Sequence, residues 1–95
     1  VLEATPESRV FLAIENHGPQ GNDPDWMRAV LRTAASPRVG GTFHLGNWYW
    51  WGHPLSRIYE IADEFAPRVR ATHVKNIHYP QERRETPRPI GWEYG

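Results

Sequence analysis

Apolar positions along the chain fall into short runs separated by stretches with helical spacing. Arg9 to Glu15 (RVFLAIE) is a mostly apolar run ending at Asn16-His17-Gly18, and it reads as a strand covered on both faces, as in a parallel sheet or a barrel. Pro19 to Asn22 reads as a loop. Asp23-Pro24 follows as an N-cap with proline at the first helical position. Trp26, Met27, Val30, Leu31 and Ala34 then recur on one helical face, with Trp26 expected in the core, until Ser36-Pro37 stops the helix. The logic repeats. Arg38 to His44 (RVGGTFH) is a second strand weakened by two glycines, Leu45-Gly46-Asn47 reads as a turn, and Trp48-Tyr49-Trp50-Trp51-Gly52 as an aromatic loop. Leu55, Ile58, Ala62 and Phe65 mark a second amphipathic helix closed by Pro67, with His53 near its start. Arg68 to Val74 (RVRATHV) is a third strand leading into Lys75-Asn76. Ile77 to Gly95 shows no clean periodicity and reads as one long loop.

The order is therefore β-α-β-α-β-loop, which predicts an α/β fold with parallel strands joined by right-handed crossovers. Glu15 to His44 and His44 to His73 are each 29 residues apart, close to the roughly 31 residues per unit of a (β/α)₈ barrel. Three strands of such a sheet have open edges and half a core. Residues 1–95 are thus expected to be a fragment of a single TIM-barrel domain, with three parallel strands, two helices and a long C-terminal loop.

Composition narrows the partners. Eleven basic residues balance eleven acidic ones, so no long-range field draws in nucleic acid or anionic lipid, and the mixed run Glu82 to Arg88 reads as a solvated loop. Cysteine is absent, which leaves His, Asp and Glu as the metal-ligand types. No apolar run approaches the roughly 20 residues that span a bilayer, and no signal peptide opens the chain. A cytoplasmic location is the expectation.

Each predicted strand ends on a residue able to bind metal: Glu15, His44 and His73. Sites in parallel α/β architectures are built at the carboxyl ends of strands. One carboxylate and two imidazoles suit Mn²⁺, Fe²⁺, Co²⁺ or Zn²⁺, and three ligands on neighbouring strand ends leave positions open for substrate. A lone Glu after a strand is usually a solvated loop residue, and a lone His there is usually a hydrogen-bonded structural group. Their common position is what favours a site.

Three strings carry a family resemblance. Leu12-Ala13-Ile14-Glu15-Asn16-His17-Gly18 resembles the "EnHg" strand end of the xylose isomerase-like barrels, the sugar isomerase/epimerase superfamily. Val39 to Trp48 (VGGTFHLGNW) is similar to that family's "vGltlDxGN" strand, and Thr72-His73-Val74-Lys75-Asn76 to its "hvHvKD" strand. Together they cover residues 9–76 and correspond to strands five to seven of eight, so the first four strands and the last are expected to lie outside this chain. The resemblance implies one divalent metal (Mn²⁺, Zn²⁺, Co²⁺ or Mg²⁺) held by Glu, Asp, His and a final Glu. The two Glu carboxylates also act as acid and base, moving a proton next to a carbonyl through a metal-stabilised enediolate. Carried over by position, Glu15 is metal ligand and acid/base, His73 is a metal ligand, Lys75 sits near substrate oxygens, and His17 and Asn47 line the pocket. The implied substrate is a small carbohydrate.

The match departs from the family in two places. Where the family has its sixth-strand Asp, this chain has His44 if Gly46-Asn47 sets the register. In a second register Gly41 takes the Asp position and His44 becomes a substrate contact. Imidazole adds no negative charge and favours a softer ion. The final Glu is also missing, and neither Glu85 nor Glu93 stands in a strand-like context, so this chain alone is expected not to turn over substrate. Trp48 to Trp51 would stack on a sugar face or lid the pocket, or else cover the barrel top or meet another subunit. Two other functions compete with the isomerase: a barrel that has lost catalysis and binds a sugar or protein partner, and an endonuclease IV-like metal hydrolase, which the neutral charge disfavours.

Overall fold

The computed structural model describes residues 2–75 and 84–85. Three short strands, β1 (Leu12–Glu15), β2 (Val39–His44) and β3 (Val69–His73), form one parallel sheet in the order β1-β2-β3. Helices α1 (Gly18–Gly21) and α2 (Pro24–Ala34) connect β1 to β2, and α3 (Leu45–Trp50) and α4 (Leu55–Phe65) connect β2 to β3. A 3₁₀ turn, Ala66–Arg68, enters β3. The predicted α/β order is present. Two segments read as loops are instead helical, α1 and the aromatic α3. The long tail was expected to be a loop, but apart from Arg84 and Glu85 it lies outside the described residues, as does Glu93. Among the described residues no helix is long and apolar enough to cross a membrane.

Helix α2 begins where its sequence says it should. The Asp23 carboxylate accepts from the Asp25 N–H at 2.9 Å, Pro24 occupies the first turn, and Ala35 ends the helix in the left-handed region at φ 47°. Its Met27 and Leu31 meet Val39 and Phe43 of β2, Trp48 and Tyr49 of α3, and Ile58, Ile61 and Phe65 of α4 in one buried core. Phe43 is the hub, with ring centroids 5.9 Å from Trp48 and 5.7 Å from Phe65. Trp26 is only partly buried and packs against the rim of this cluster. Across the outer surface, Arg28 grips both oxygens of Glu64 at 2.7 Å and also Asp25 at 2.6 Å, tying α2 to α4. The charges are exposed to solvent, which screens them, so they orient the two helices more than they stabilise them.

The helices cover one face of the sheet. Strand alternation and register place Leu12, Ile14, Val39, Gly41 and Phe43 on that face, and Glu15, Thr42, His44, Ala71 and His73 on the other. The expectation that β1 is covered on both sides is therefore corrected. Leu12 is 38% exposed, and Val10 and Phe11 just before the strand are more so, because the apolar payload of the helices goes to the β2 side.

The two glycines of β2 have distinct tasks. A Cβ on Gly41 would lie 2.7 Å from the Phe43 ring, and one on Gly40 would collide with the Arg68 carbonyl oxygen. Their absence of side chains lets β3 approach and lets Phe43 lie down on its own strand. Between Gly41 and Thr42 the pairing shifts: Gly41 faces Val69 but Thr42 faces Ala71, leaving Arg70 as the extra residue of a β-bulge. Arg70 turns aside, donating to the Pro37 carbonyl at 2.9 Å and lying over Phe11 at 4.9 Å.

Gly40→Ala is expected to destabilise the fold by about 1–3 kcal/mol, as overpacking against backbone does. In a domain of this size each 1 kcal/mol lowers the melting temperature by roughly 4–8 °C. Thermal unfolding followed by circular dichroism reads this, and an unchanged midpoint would contradict the close approach of β2 and β3.

Candidate metal centre

The last residues of the three strands are Glu15, His44 and His73, and their side chains share the face of the sheet that the helices leave open. Glu15 Oε1 lies 2.9 Å from His44 Nδ1 and 3.1 Å from His73 Nδ1. The two imidazole rings meet edge to face, 5.4 Å between centroids. Side-chain exposure is 36% for Glu15, 15% for His44 and 56% for His73, so the cluster has one shielded member and opens to solvent on the β3 side.

The bulge sets this convergence. His73 is paired directly with His44. Without the extra Arg70, Thr72 would take that position and His73 would point to the helical face, since a one-residue slip inverts a strand. Asn16 provides the second constraint. Its carboxamide takes up both backbone groups of His44, accepting from the N–H at 2.7 Å and donating to the carbonyl at 2.9 Å. Asn16 is fully buried and also donates to Asn22 Oδ1 at 3.1 Å, while its own carbonyl accepts from Asn47 Nδ2 at 2.9 Å. Asn22 in turn donates to the Gly18 carbonyl at 2.8 Å, and Lys75 Nζ donates to Asn47 Oδ1 at 2.5 Å. His53 Nε2 sits 2.7 Å from the Asn22 carbonyl oxygen, so the residue expected near the start of α4 straps that start to this network.

A carboxylate only accepts hydrogen bonds, so both imidazoles present Nδ1–H to Glu15 in this arrangement. These bonds, that of His44 first and that of His73 second, hold the Glu15 carboxyl below the usual glutamate range against a smaller opposing effect of burial.

The donor set fits a divalent ion. One ligand atom from each residue lies within 4.8 Å of the other two. An ion bound at about 2.0–2.1 Å in tetrahedral geometry spaces its ligand atoms roughly 3.3 Å apart, and the two O–N distances already approach this. Binding through Nδ1 requires each imidazole to carry its proton on Nε2 instead, so the hydrogen bonds to Glu15 and a bound ion are alternatives at the same two nitrogens.

The other expected site residues separate into two groups. His17, Asn47 and Lys75 line one small cavity of about 130 Å³, together with Gly18, Asn22, Trp50 and Trp51. Trp48, expected to touch substrate, does not join them. It is fully buried, packed on Phe43 and the His53 ring, because helical winding of Leu45–Trp50 turns Trp48 and Tyr49 into the core. Trp50 and Trp51 belong to the aromatic stretch expected to meet a sugar or another surface, whereas Asn16 and Asn22 were not singled out as site residues. Only the position of Asn16 directly after a strand-ending Glu hinted at its part. A larger groove of about 390 Å³ runs along α4 past Leu45, Leu55, Ile58 and Tyr59 but contains none of the three strand-end ligands.

No family model, curated protein or solved structure matches this chain.

Asn16→Ala is expected to cost at least about 2 kcal/mol in chemical denaturation, because it leaves the His44 N–H and carbonyl unmatched and each orphaned group costs about 1–3 kcal/mol. A cost below 0.5 kcal/mol, roughly that of a neutral surface change, would refute the clamp. Glu15 gives a second expectation. Its depressed value contributes stability that is present above the unfolded glutamate range and lost as pH falls through the folded value. Carboxyl carbon NMR titration of Glu15 should therefore show a midpoint below that of a free glutamate. His44→Ala should move it upward more than His73→Ala does, and equal midpoints in all three proteins would contradict the shared oxygen.

Proposed function

We propose that Glu15, His44 and His73 hold a divalent metal and that this chain carries part of a barrel enzyme shifting a proton next to the carbonyl of a sugar or polyol, as an isomerase or epimerase does. The observation behind this reading is the convergence of one carboxylate oxygen and two imidazole nitrogens from the ends of three neighbouring parallel strands. When bound, such an ion polarises a hydroxyl or carbonyl oxygen and acidifies the adjacent C–H. Glu15 is both ligand and candidate proton acceptor, since it is the one carboxylate of the cluster among the described residues. Asn47 and Lys75 would orient substrate oxygens beside it. With a single negative charge and two nitrogens, the set favours Zn²⁺ or Co²⁺ over Mg²⁺. The proton donor on the opposite face of the substrate has to come from outside this cluster.

One observation favours a second reading, a barrel that binds without catalysis: Glu15, His44 and His73 already satisfy one another by hydrogen bonds. Calorimetric titration of the chain with Zn²⁺ and Mn²⁺ separates the two. The metal reading expects Zn²⁺ to bind, with Glu15→Gln, His44→Ala and His73→Ala each weakening it by more than about 100-fold, beyond the 10–100-fold typical of lost outer-shell partners. Binding that survives His44→Ala would make His44 a substrate contact. An absence of Zn²⁺ and Mn²⁺ binding would leave the hydrogen-bonded triad as a structural feature and sink the metal enzyme.

A further inference from the structure

Two unpartnered features of the fold share one side of the molecule. The first is the outer edge of β1. Leu12 donates its N–H to the Arg38 carbonyl at 2.7 Å, so Leu12 and Ile14 turn their backbone groups to β2, and Phe11, Ala13 and Glu15 turn theirs outward. Among the described residues no strand pairs with that edge. Sheet edges are ordinarily blunted by bulges, prolines or lysines. β3 has its bulge at Arg70, whereas β1 has none of these devices and is led in by Val10 and Phe11, 64% and 53% exposed.

The second feature is a face of α2. Arg28 reaches Glu64 of α4, and at about 100° per residue Trp26 leaves the helix on the opposite side. Trp26, Ala29, Val30, Thr33 and Ala34 line a shallow hollow of about 430 Å³ there. Helix α4 leads into β3, and β2 separates β3 from β1. The side of α2 turned away from α4 is therefore the β1 side. Strand edge and hollow form one surface, with the partly exposed Leu12 between them.

Self-complementarity decides what fits this surface. A two-fold axis through Ala13, perpendicular to the sheet, sets β1 antiparallel to β1 of a second copy. Ala13 then meets its own counterpart as a hydrogen-bonded pair, and Leu12 comes beside Ile14 of the second copy on the helical face. The same axis keeps both α2 helices on one face of the sheet and runs them antiparallel. Each Trp26, in the first turn, then comes to the small Thr33 and Ala34 in the last turn of the other helix. Asp25 and Arg32 lie two turns apart on the outer flank of α2, so the acid of each copy comes to the base of the other. Size, charge and backbone pairing follow from one operator, as an isologous contact requires.

We infer that this side of the molecule is a two-fold interface between copies of this chain, joining two three-stranded sheets through β1 into one. A four-residue edge and one helix face make a small contact, at or below the roughly 1,200 Å² where stable interfaces begin, so the dimer is weak. Pairing β1 with β3 of another copy would be head-to-tail and open-ended, and the bulge of β3 opposes it. The interface depends neither on a bound metal nor on the proposed function.

Sedimentation equilibrium of the metal-free chain, from about 10 μM to about 1 mM as a weak contact demands, should show monomer and dimer and nothing larger. Amide hydrogen exchange at Phe11 and Ala13 should be fast at the low end of that range and slowed at the high end. Ala13→Pro removes an outward N–H without touching a bond to β2, and Thr33→Arg fills the hollow from an exposed position. Each should weaken dimerisation by about tenfold or more, with the circular dichroism of the monomer unchanged in Thr33→Arg. Arg32→Glu should weaken it too, and adding Asp25→Lys should regain the loss. A chain that stays monomeric with the β1 amides protected throughout would mean that a segment of the same chain covers the edge. A monomer with fast exchange throughout would mean that nothing does. Either result overturns the interface, as would full association of Thr33→Arg, no recovery in the charge-exchanged variant, or growth beyond the dimer.

Discussion

The candidate site depends on the carboxamide of Asn16. Strand β1 ends at Glu15, yet pairing with β2 continues one step further through a side chain. Asn16 Oδ1 and Nδ2 take the N–H and carbonyl of His44 much as a peptide group would. A buried amide has to have its donors and acceptors matched, and this one is matched by His44, Asn22 and, through its backbone, Asn47. Aspartate would be of the same size but would set an oxygen against the His44 carbonyl, with a charge to desolvate. The anchor holds His44 at the point where its ring meets Glu15, and it holds Asn47 where Lys75 can bond to it. The triad and the small cavity are therefore two sides of one buried polar centre.

A backbone irregularity completes the geometry. Parallel strands pair residue by residue, and the face presented by a strand inverts with every one-residue slip. The extra Arg70 in β3 spends one residue at the start of the strand so that His73, at its end, faces the same way as His44. The two glycines of β2 allow this, since a side chain at Gly40 would strike the Arg68 carbonyl just before the bulge. What lowers strand propensity in the run Val39-Gly40-Gly41 is thus what permits the pairing.

Much of this arrangement was legible in the sequence, and the parts that were not have physical reasons. Helices α2 and α4 announce themselves by spacing, α2 also by its Asp23 cap, and their observed bounds, Pro24–Ala34 and Leu55–Phe65, follow the apolar stripe. The 29-residue interval of Glu15, His44 and His73 reflects one strand-helix unit, and residues at equal phase in successive units come together. The aromatic segment was not legible as a helix. Trp48-Tyr49-Trp50-Trp51 has no polar face to give a period, and which rings go inward is settled by Phe43 beneath them. Nor was the asparagine network. Hydropathy reads Asn16, Asn22 and Asn47 as loop, whereas all three are nearly inaccessible because backbone groups leaving the strand ends have to be paired. The apolar run before Glu15 promised a strand covered on both faces, but the helices reach one face only.

The shared oxygen of Glu15 limits what that residue does. A general base works best with a value near the operating pH, and two imidazole hydrogen bonds push Glu15 in the opposite direction. As arranged here it suits holding positive charge better than taking a proton from carbon. For Glu15 to serve as acid or base, at least one of its bonds to His44 or His73 has to be exchanged for another contact. His73 is the partner that can leave. It is the more exposed of the two, its bond is the longer, and among the described residues no buried amide clamps its backbone, whereas His44 is shielded and fixed by Asn16. The asymmetry of the cluster thus assigns the invariant contact to His44 and the exchangeable one to His73, on the open side where a ligand would arrive.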